Sequence, residues 1–382
     1  MTTALINGRV LTQDGWREEL AVLVEGGRIA GLHPASDPHV RAARHHDLAG
    51  RRLLPGFIDC QVNGGGGVLF NATPSVAGIR AIAQAHRHHG TTGLLPTLIS
   101  DSVEVMRAAI GAVDAAITEG VPGVLGIHIE GPYIAPDRKG VHHGSSLRLP
   151  DAAEIALSAS LKHGRTLMTL APEQVPMDTL RALLDAGVIV AVGHTAGDYA
   201  AVRRALDAGA RGFTHLFNAM TPLQSRAPGA VGAALEDRDS WCGVIVDGHH
   251  VHPASLKVAL AAKPRGKVFL VTDAMPPVGG PDNSFVLNGE TITVRDGVAQ
   301  TADGVLAGSV ISMIDAVRNC VQLLGLPLEE AARMASTYPA DFLGLEKTHG
   351  RIAAGYRADF TVVDDVLAVR GTCIGGQWED IP

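Results

Sequence analysis

Short apolar runs alternate with helical segments through the middle of the chain. Each run holds about four to eight apolar or β-branched residues, ends at a Gly, Pro or polar residue, and precedes a helical stretch. Strands that alternate with helices in this way predict a parallel sheet. Eight such runs occur, at residues 53–59, 91–98, 124–130, 166–171, 188–194, 212–215, 242–247 and 267–273.

Eight strand and helix units predict an α/β fold in which the sheet closes into a (β/α)8 barrel of the TIM type. The segments between the strands are rich in Ala and favour helices. These segments are residues 75–89, 103–119, 152–162, 178–186 and 198–208, and two later segments, 311–324 and 328–343, would close the outer ring.

Both ends of the chain differ from this pattern, because they carry short strand-like segments separated by Asn-Gly, Asp-Gly and Gly-Gly turns. The segments are residues 4–6, 20–24, 28–32, 358–363 and 369–374. Neither end can bury a sheet alone, so we expect residues 1–50 and 350–382 to pair as one small β-sandwich beside a barrel of residues 51–349. A turn-rich stretch near residues 283–300 predicts an inserted β-hairpin over the barrel mouth, either a surface hairpin or a lid.

Composition fits a large buried core, since 46% of the 382 residues are hydrophobic. The net charge of −7 gives no reason to expect nucleic acid or an anionic membrane as a partner. No apolar stretch approaches the roughly 20 residues that span a bilayer, and Asn7 and Arg9 interrupt the N-terminus where a signal peptide would be apolar. We therefore expect a cytoplasmic protein with four reduced, buried cysteines.

Four residues whose side chains can bind a metal ion or transfer a proton end separate strand-like runs: Glu130, His194, His215 and Asp273. The carboxyl ends of barrel strands meet at one mouth, which predicts that these side chains converge. A buried carboxylate requires a cation, and imidazole is the commonest transition-metal ligand. The pattern favours a metal site on Glu130, His194 and His215.

Alternatives remain open for each of these residues. Glu130 could instead form a salt bridge with Arg138 or Lys139, and a single His is more often a hydrogen-bonded core residue. Three protein ligands with an open fourth position are typical of catalytic zinc. Asp273 would then accept the proton of the attacking water, or alternatively support a ligand histidine.

Several short strings surround these residues and are spread along nearly the whole chain. They are Leu54-Pro-Gly-Phe-Ile-Asp59, His128-Ile-Glu-Gly-Pro132, Lys139-Gly-Val-His142, Val192-Gly-His194, Thr214-His-Leu-Phe-Asn-Ala-Met220, Asp247-Gly-His-His250, Val271-Thr-Asp273 and Leu306-Ala-Gly-Ser309. In these strings the chain resembles the amidohydrolase superfamily, and within it the branch that deacetylates amino-sugar 6-phosphates. The Glu-Gly-Pro and His-Leu-Phe-Asn-Ala-Met strings are specific to that branch.

The resemblance implies one divalent metal ion per subunit. Many amidohydrolases bind a second ion through His-x-His after the first strand, whereas this chain has Gln61 and Asn63 there. Gln61 would at most hydrogen-bond the metal's water. The ligands suit Zn²⁺ first, with Fe²⁺, Co²⁺ or Mn²⁺ also compatible.

The resemblance also implies roles for residues outside the strand ends. His142 would polarise the acetyl carbonyl, while Asn218, the Ala219 main chain, Arg226 and His250 would bind the phosphate. Part of the phosphate site would be completed across a homodimer interface.

The activity implied is hydrolysis of the acetamide of N-acetyl-D-glucosamine 6-phosphate to glucosamine 6-phosphate and acetate, in amino-sugar catabolism or recycling. The galactosamine epimer is a close alternative, because the two sugars differ at the C4 hydroxyl and no residue of the matching strings is expected to contact that hydroxyl. A non-catalytic sugar-phosphate-binding barrel is a more distant alternative, and a cyclic amidase is disfavoured by the absence of His-x-His.

Overall fold

The computed structural model describes residues 2–381, and its centre is a sheet of eight parallel strands. Each strand pairs with the next one along the chain, so the sheet follows the sequence order. The predicted (β/α)8 barrel is confirmed. Its strands are Phe57–Val62, Thr91–Ile99, Gly126–Glu130, Arg165–Leu170, Ile189–Val192, Gly212–Phe213, Trp241–Val244 and Val268–Leu270.

A buried aspartate joins the first and last barrel strands. Val62, the last residue of the first strand, forms a parallel bridge with Ala274, which lies just beyond the last strand. Below it, Asp59 accepts hydrogen bonds from the Gln61 N–H at 3.2 Å, the Thr272 N–H at 3.2 Å and the Thr272 hydroxyl at 2.5 Å. Burial raises the pKa of Asp59 to about 7 despite these donors. The interactions of Asp59 therefore hold the barrel closed.

Helices cover the outside of the barrel, and side-chain oxygens cap several of their first turns, as Ser75, Ser102 and Asp198 do. The predicted segment 328–343 forms two helices, because Pro339 has no N–H to continue the first one. No helix in the described chain is both long and apolar enough to cross a membrane. The outer helices are Val76–Arg87, Val103–Thr118, Ala152–Ser158, Met177–Asp185, Tyr199–Ala208, Gly229–Glu236, Pro253–Ala262, Met313–Gln322, Leu328–Ala335 and Thr337–Phe342.

The predicted run 53–59 is two strands that belong to different sheets. Arg52–Pro55 pairs with flanking strands, whereas Phe57–Val62 begins the barrel. Gly56 lies between them, and a Cβ there would be 2.0 Å from the Thr92 hydroxyl oxygen. The flanking sheet therefore extends to Pro55, past the boundary at residue 50 expected from the sequence.

The two chain ends form two sheets that pack face to face. Leu5, Val22 and Ile29 of the first sheet share one apolar cluster with Leu53 and Phe360 of the second. This packing is the β-sandwich expected from the sequence. The four-stranded sheet has the order Arg28–Pro34, Leu20–Glu25, Thr3–Ile6, Arg44–Asp47, and the six-stranded sheet the order Gln377–Asp380, Val369–Ile374, Phe360–Val363, Arg52–Pro55, Arg9–Thr12, Gly15–Arg17.

The insertion near residues 283–300 is a three-stranded antiparallel sheet and not the predicted single hairpin. Its strands are Ser284–Leu287, Glu290–Arg295 and Val298–Gln300. Asn288-Gly289 and Asp296-Gly297 both have positive φ, as two-residue hairpin turns require, so there are two turns and three strands. The sheet packs on Ile99 and Met275 beside the barrel mouth.

Candidate active site

Three buried side chains at the C-terminal ends of barrel strands converge on one point. Glu130 ends its strand, and His194 and His215 each follow a strand by two residues. The Glu130 Oε1 atom lies 3.3 Å from His194 Nε2 and 3.1 Å from His215 Nε2, and the two Nε2 atoms are 3.0 Å apart. Ligand atoms around a tetrahedral zinc ion with bonds of about 2.0 Å would be ~3.3 Å apart. This buried set of donors therefore fits a divalent metal ion.

The surroundings prepare these residues to act as ligands. His194 donates its Nδ1 proton to the Arg138 main-chain oxygen at 2.7 Å, which leaves Nε2 free to bind a metal. Burial alone would raise the pKa of Glu130, but the close approach of the His194 and His215 imidazoles holds that pKa well below its usual range. The two histidines, and not Arg138 or Lys139, therefore face the Glu130 carboxylate.

Asp273 follows the last barrel strand and lies beside these ligands. Its Oδ1 atom accepts hydrogen bonds from Gln61 Nε2 at 3.1 Å and Asn63 Nδ2 at 2.6 Å. The same Gln61 amide donates to Glu130 Oε1 at 3.1 Å, so Gln61 bridges the two carboxylates. Burial, followed by the charge of Glu130, raises the pKa of Asp273 to about 6. A carboxylate that titrates near neutrality can accept a proton and later return it.

The backbone is strained at three of these four residues. The φ angles of His194, His215 and Asp273 are 48°, 31° and 54°. Residues other than Gly rarely adopt this left-handed region, and each instance costs on the order of 1 kcal/mol. The turn after each strand therefore aims a side chain into the barrel mouth at the expense of local stability.

His142 lies beside the ligand His194. Its ring is buried, and its centroid is 4.6 Å from that of His194. Burial lowers the pKa of His142 to about 3, so the imidazole is neutral. A neutral imidazole in this position can donate one hydrogen bond to a carbonyl oxygen.

A cavity of about 340 Å³ opens above the ligands and contains most of the predicted site. Asn218, Ala219 and His250 line it, as the sequence interpretation expected. Arg226 is exposed and does not line the cavity, and Gln61 lies beneath it, behind the two carboxylates. The remaining walls are largely apolar, formed by Ile99, Val141, Ile245, Met275, Val305 and Leu306.

An aspartate that the sequence interpretation did not assign holds His250 in this wall. Asp247 accepts the Nδ1 proton of His250 at 2.6 Å, and its other oxygen accepts the His249 and His250 main-chain N–H groups. Burial alone would raise the pKa of Asp247, but the hydrogen bond and charge of His250 lower it to about 2. Asp247 therefore fixes the orientation of the His250 ring.

Two other residues of the site were also missed from the sequence. Asn63 was interpreted only as the lack of a second metal ligand, although it donates to Asp273. Ser100, which touches His142, received no role. Both residues directly follow a barrel strand, which is the signal that identified Asp273 and could have identified them.

Comparison with known proteins gives consistent matches over almost the whole chain. The amidohydrolase family profile matches residues 52–378. N-acetylgalactosamine-6-phosphate deacetylase of Shewanella sp. (strain ANA-3) is 42% identical over 97% of this chain and 94% of its own length. N-acetylglucosamine-6-phosphate deacetylase of Homo sapiens is 38% identical over 98% of this chain and 93% of its own length.

Solved structures give the same result. The crystal structure of N-acetylglucosamine-6-phosphate deacetylase from Pasteurella multocida has a TM-score of 0.96 and 35% identity, with 100% of both chains covered. A mutant of the Mycobacterium smegmatis deacetylase in complex with N-acetyl-D-glucosamine-6-phosphate has a TM-score of 0.89 and 33% identity, with 99% of this chain and 98% of that chain covered. The chain described here therefore belongs to the amidohydrolase family and is a hydrolase that acts on an amide.

Proposed function

We propose that the protein hydrolyses the acetamide of N-acetyl-D-glucosamine 6-phosphate, giving D-glucosamine 6-phosphate and acetate. The observation that carries the proposal is the position of Asp273 beside Glu130, His194 and His215 at the floor of one cavity. Relatives that carry the name of this activity, and the solved complex of one of them with this sugar phosphate, support the choice of substrate.

One divalent ion, which we propose to be Zn²⁺, would be held by Glu130, His194 and His215. The two imidazoles and one carboxylate are the donor types that catalytic zinc uses. When bound, the ion supplies Lewis acidity that polarises the acetamide carbonyl and acidifies a water molecule.

The side chains around this site provide the proton transfers. Asp273 takes a proton from the attacking water and delivers it to the sugar nitrogen as the C–N bond breaks. His142 donates a hydrogen bond to the carbonyl oxygen, where negative charge develops. The second proton of the water also passes to the nitrogen, so acetate and the protonated amine leave and Asp273 is again unprotonated.

The phosphate would bind at the wall that contains His250, Asn218 and the Ala219 main chain. Arg226 lies exposed outside the cavity, and its guanidinium suits phosphate. Because Arg226 does not line the cavity of its own chain, we propose that it reaches the phosphate across a homodimer interface. The oligomeric state in solution, measured by light scattering, tests that part of the proposal.

Asp247→Asn is expected to raise KM for the phosphorylated substrate about ten-fold and to change kcat less than about two-fold. The new amide would present a donor to the protonated Nδ1 of His250, so the ring would lose its orientation toward the phosphate. Steady-state kinetics of acetate release measure this effect.

Asp237→Asn is the matched control, because Asp237 also accepts main-chain N–H groups in a loop but lies outside the cavity. We expect its KM to match the wild type. An unchanged KM in the Asp247→Asn protein would remove His250 from the phosphate site.

The direct test of the reaction is acetate release from N-acetylglucosamine 6-phosphate, compared with the unphosphorylated sugar. We expect turnover of the phosphorylated sugar only. No turnover by the metal-loaded protein would reject the proposed substrate.

The galactosamine epimer is the second candidate, because the relative from Shewanella carries that activity at 42% identity. The chemistry at the acetamide is the same for both sugars, which differ at the C4 hydroxyl. The ratio of kcat/KM for the two 6-phosphates, measured on one preparation, decides between them.

A further inference from the structure

We infer that Ser100 is a positioning residue that holds His142 in the tautomer with its proton on Nε2. In this tautomer, His142 offers an N–H to the cavity. The inference rests on the proposed function for the identity of the group that receives this hydrogen bond. The tautomer itself follows from contacts within the chain.

Both polar groups of Ser100 meet the same ring atom. The main-chain N–H of Ser100 lies 3.2 Å from Nδ1 of His142, and the Ser100 Oγ atom lies 2.7 Å from it. A main-chain N–H can only donate, so Nδ1 is the unprotonated acceptor and the proton of the neutral ring is on Nε2. The hydroxyl adds a second donor to the same lone pair.

The neighbouring imidazole has the opposite arrangement. His194 donates from Nδ1 to a carbonyl oxygen, which leaves Nε2 without a proton and free to bind a metal. His142 accepts at Nδ1 and therefore donates from Nε2. The centroids of the two rings are 4.6 Å apart, but different main-chain partners at Nδ1 give them different roles. His194 can bind a metal ion through Nε2, whereas His142 can donate a hydrogen bond from Nε2.

A glycine beside the metal ligand leaves the space that Ser100 occupies. A Cβ at Gly131 would lie 2.3 Å from the Ser100 Oγ atom. Gly131 follows Glu130 directly and has a φ of +79°, where other residues are strained. In the pair Glu130-Gly131, the first residue is therefore a metal ligand, and the second leaves space for the Ser100 side chain.

The tautomer can be measured directly by ¹⁵N NMR of the metal-loaded protein labelled at histidine, with the His142 signals assigned by their loss in His142→Asn. We expect an unprotonated Nδ1 and a protonated Nε2. A proton on Nδ1 of His142 would overturn the inference, whether or not the protein deacetylates the proposed substrate.

The role in catalysis is tested with Ser100→Ala and Ser100→Cys. Loss of the hydroxyl is expected to lower kcat about ten-fold and to leave KM within about two-fold, because a loosely held ring stabilises the developing charge less well. The cysteine variant fills the same space with a weak donor, so we expect it to behave like the alanine variant.

Ser336→Ala is the matched control, since Ser336 is also a buried serine whose hydroxyl donates to a main-chain oxygen, but it lies away from the cavity. We expect wild-type kcat from it. If kcat of Ser100→Ala is within two-fold of the wild type, or if Ser100→Cys is fully active, the hydroxyl has no positioning role.

Discussion

Asp273→Asn is expected to lower kcat by about three orders of magnitude while the protein keeps its metal ion. An amide of the same shape cannot accept a proton from water, and general acid and base catalysis contributes roughly 10²–10⁴-fold. Asp273 also lies beside the three ligands without being one of them. Acetate release and metal analysis of the same sample measure both effects.

An exposed carboxylate provides the control for this change. Asp282 lies in the loop before the three-stranded sheet and is exposed, so Asp282→Asn should keep wild-type turnover. Residual activity above about 10% in Asp273→Asn would show that another group accepts the proton. Loss of the metal from Asp273→Asn would instead assign Asp273 to the support of the metal site.

Removal of the metal is expected to abolish turnover and to lower the melting temperature. Without an ion, the carbonyl is no longer polarised and no water is acidified. A ligand that binds only the folded state stabilises it by about 4 kcal/mol at a concentration 1,000 times its Kd. Activity and thermal unfolding, measured before and after chelation, report these two effects.

Return of Zn²⁺ to the chelated protein should restore both activity and melting temperature. Glu130→Gln, which weakens one ligand while keeping its volume, should require far more metal to reach the same activity. Undiminished turnover by protein shown to be free of metal would contradict the assignment of Glu130, His194 and His215.

The sequence predicts the barrel and the core of the site well, for the same physical reason. Parallel strands buried on both faces appear as continuous apolar runs, and their polar terminators mark the barrel mouth. Glu130, His194, His215 and Asp273 were found from those terminators alone, and the structure brings them together.

Features that depend on contacts between distant segments were not predicted. The break at Gly56 arises from the approach of Thr92, which lies on the next strand. The role of Ser100 depends on a loop that returns His142 from 42 residues later. The strand end marks Ser100 as a candidate, but no local pattern encodes its contact with His142 or the approach of Thr92 to Gly56.

The residues expected to bind the phosphate were predicted from resemblance, and only some of them line the cavity in the structure. His250, Asn218 and Ala219 share a wall of the cavity, while Arg226 does not. The proposed contact of Arg226 with the phosphate across a homodimer interface is therefore not visible in a single chain.

The left-handed backbone at His194, His215 and Asp273 places limits on attempts to make this protein more robust. Gly or Asn at Asp273 would relax that turn without removing a metal ligand and would raise the free energy of unfolding, whereas at His194 or His215 the same change would remove a ligand of the stabilising metal ion. A screen for heat tolerance alone would therefore reward the replacement of Asp273, a residue that carries the chemistry. Such a screen needs turnover as a second criterion, because here the most stable chain and the working enzyme are different sequences.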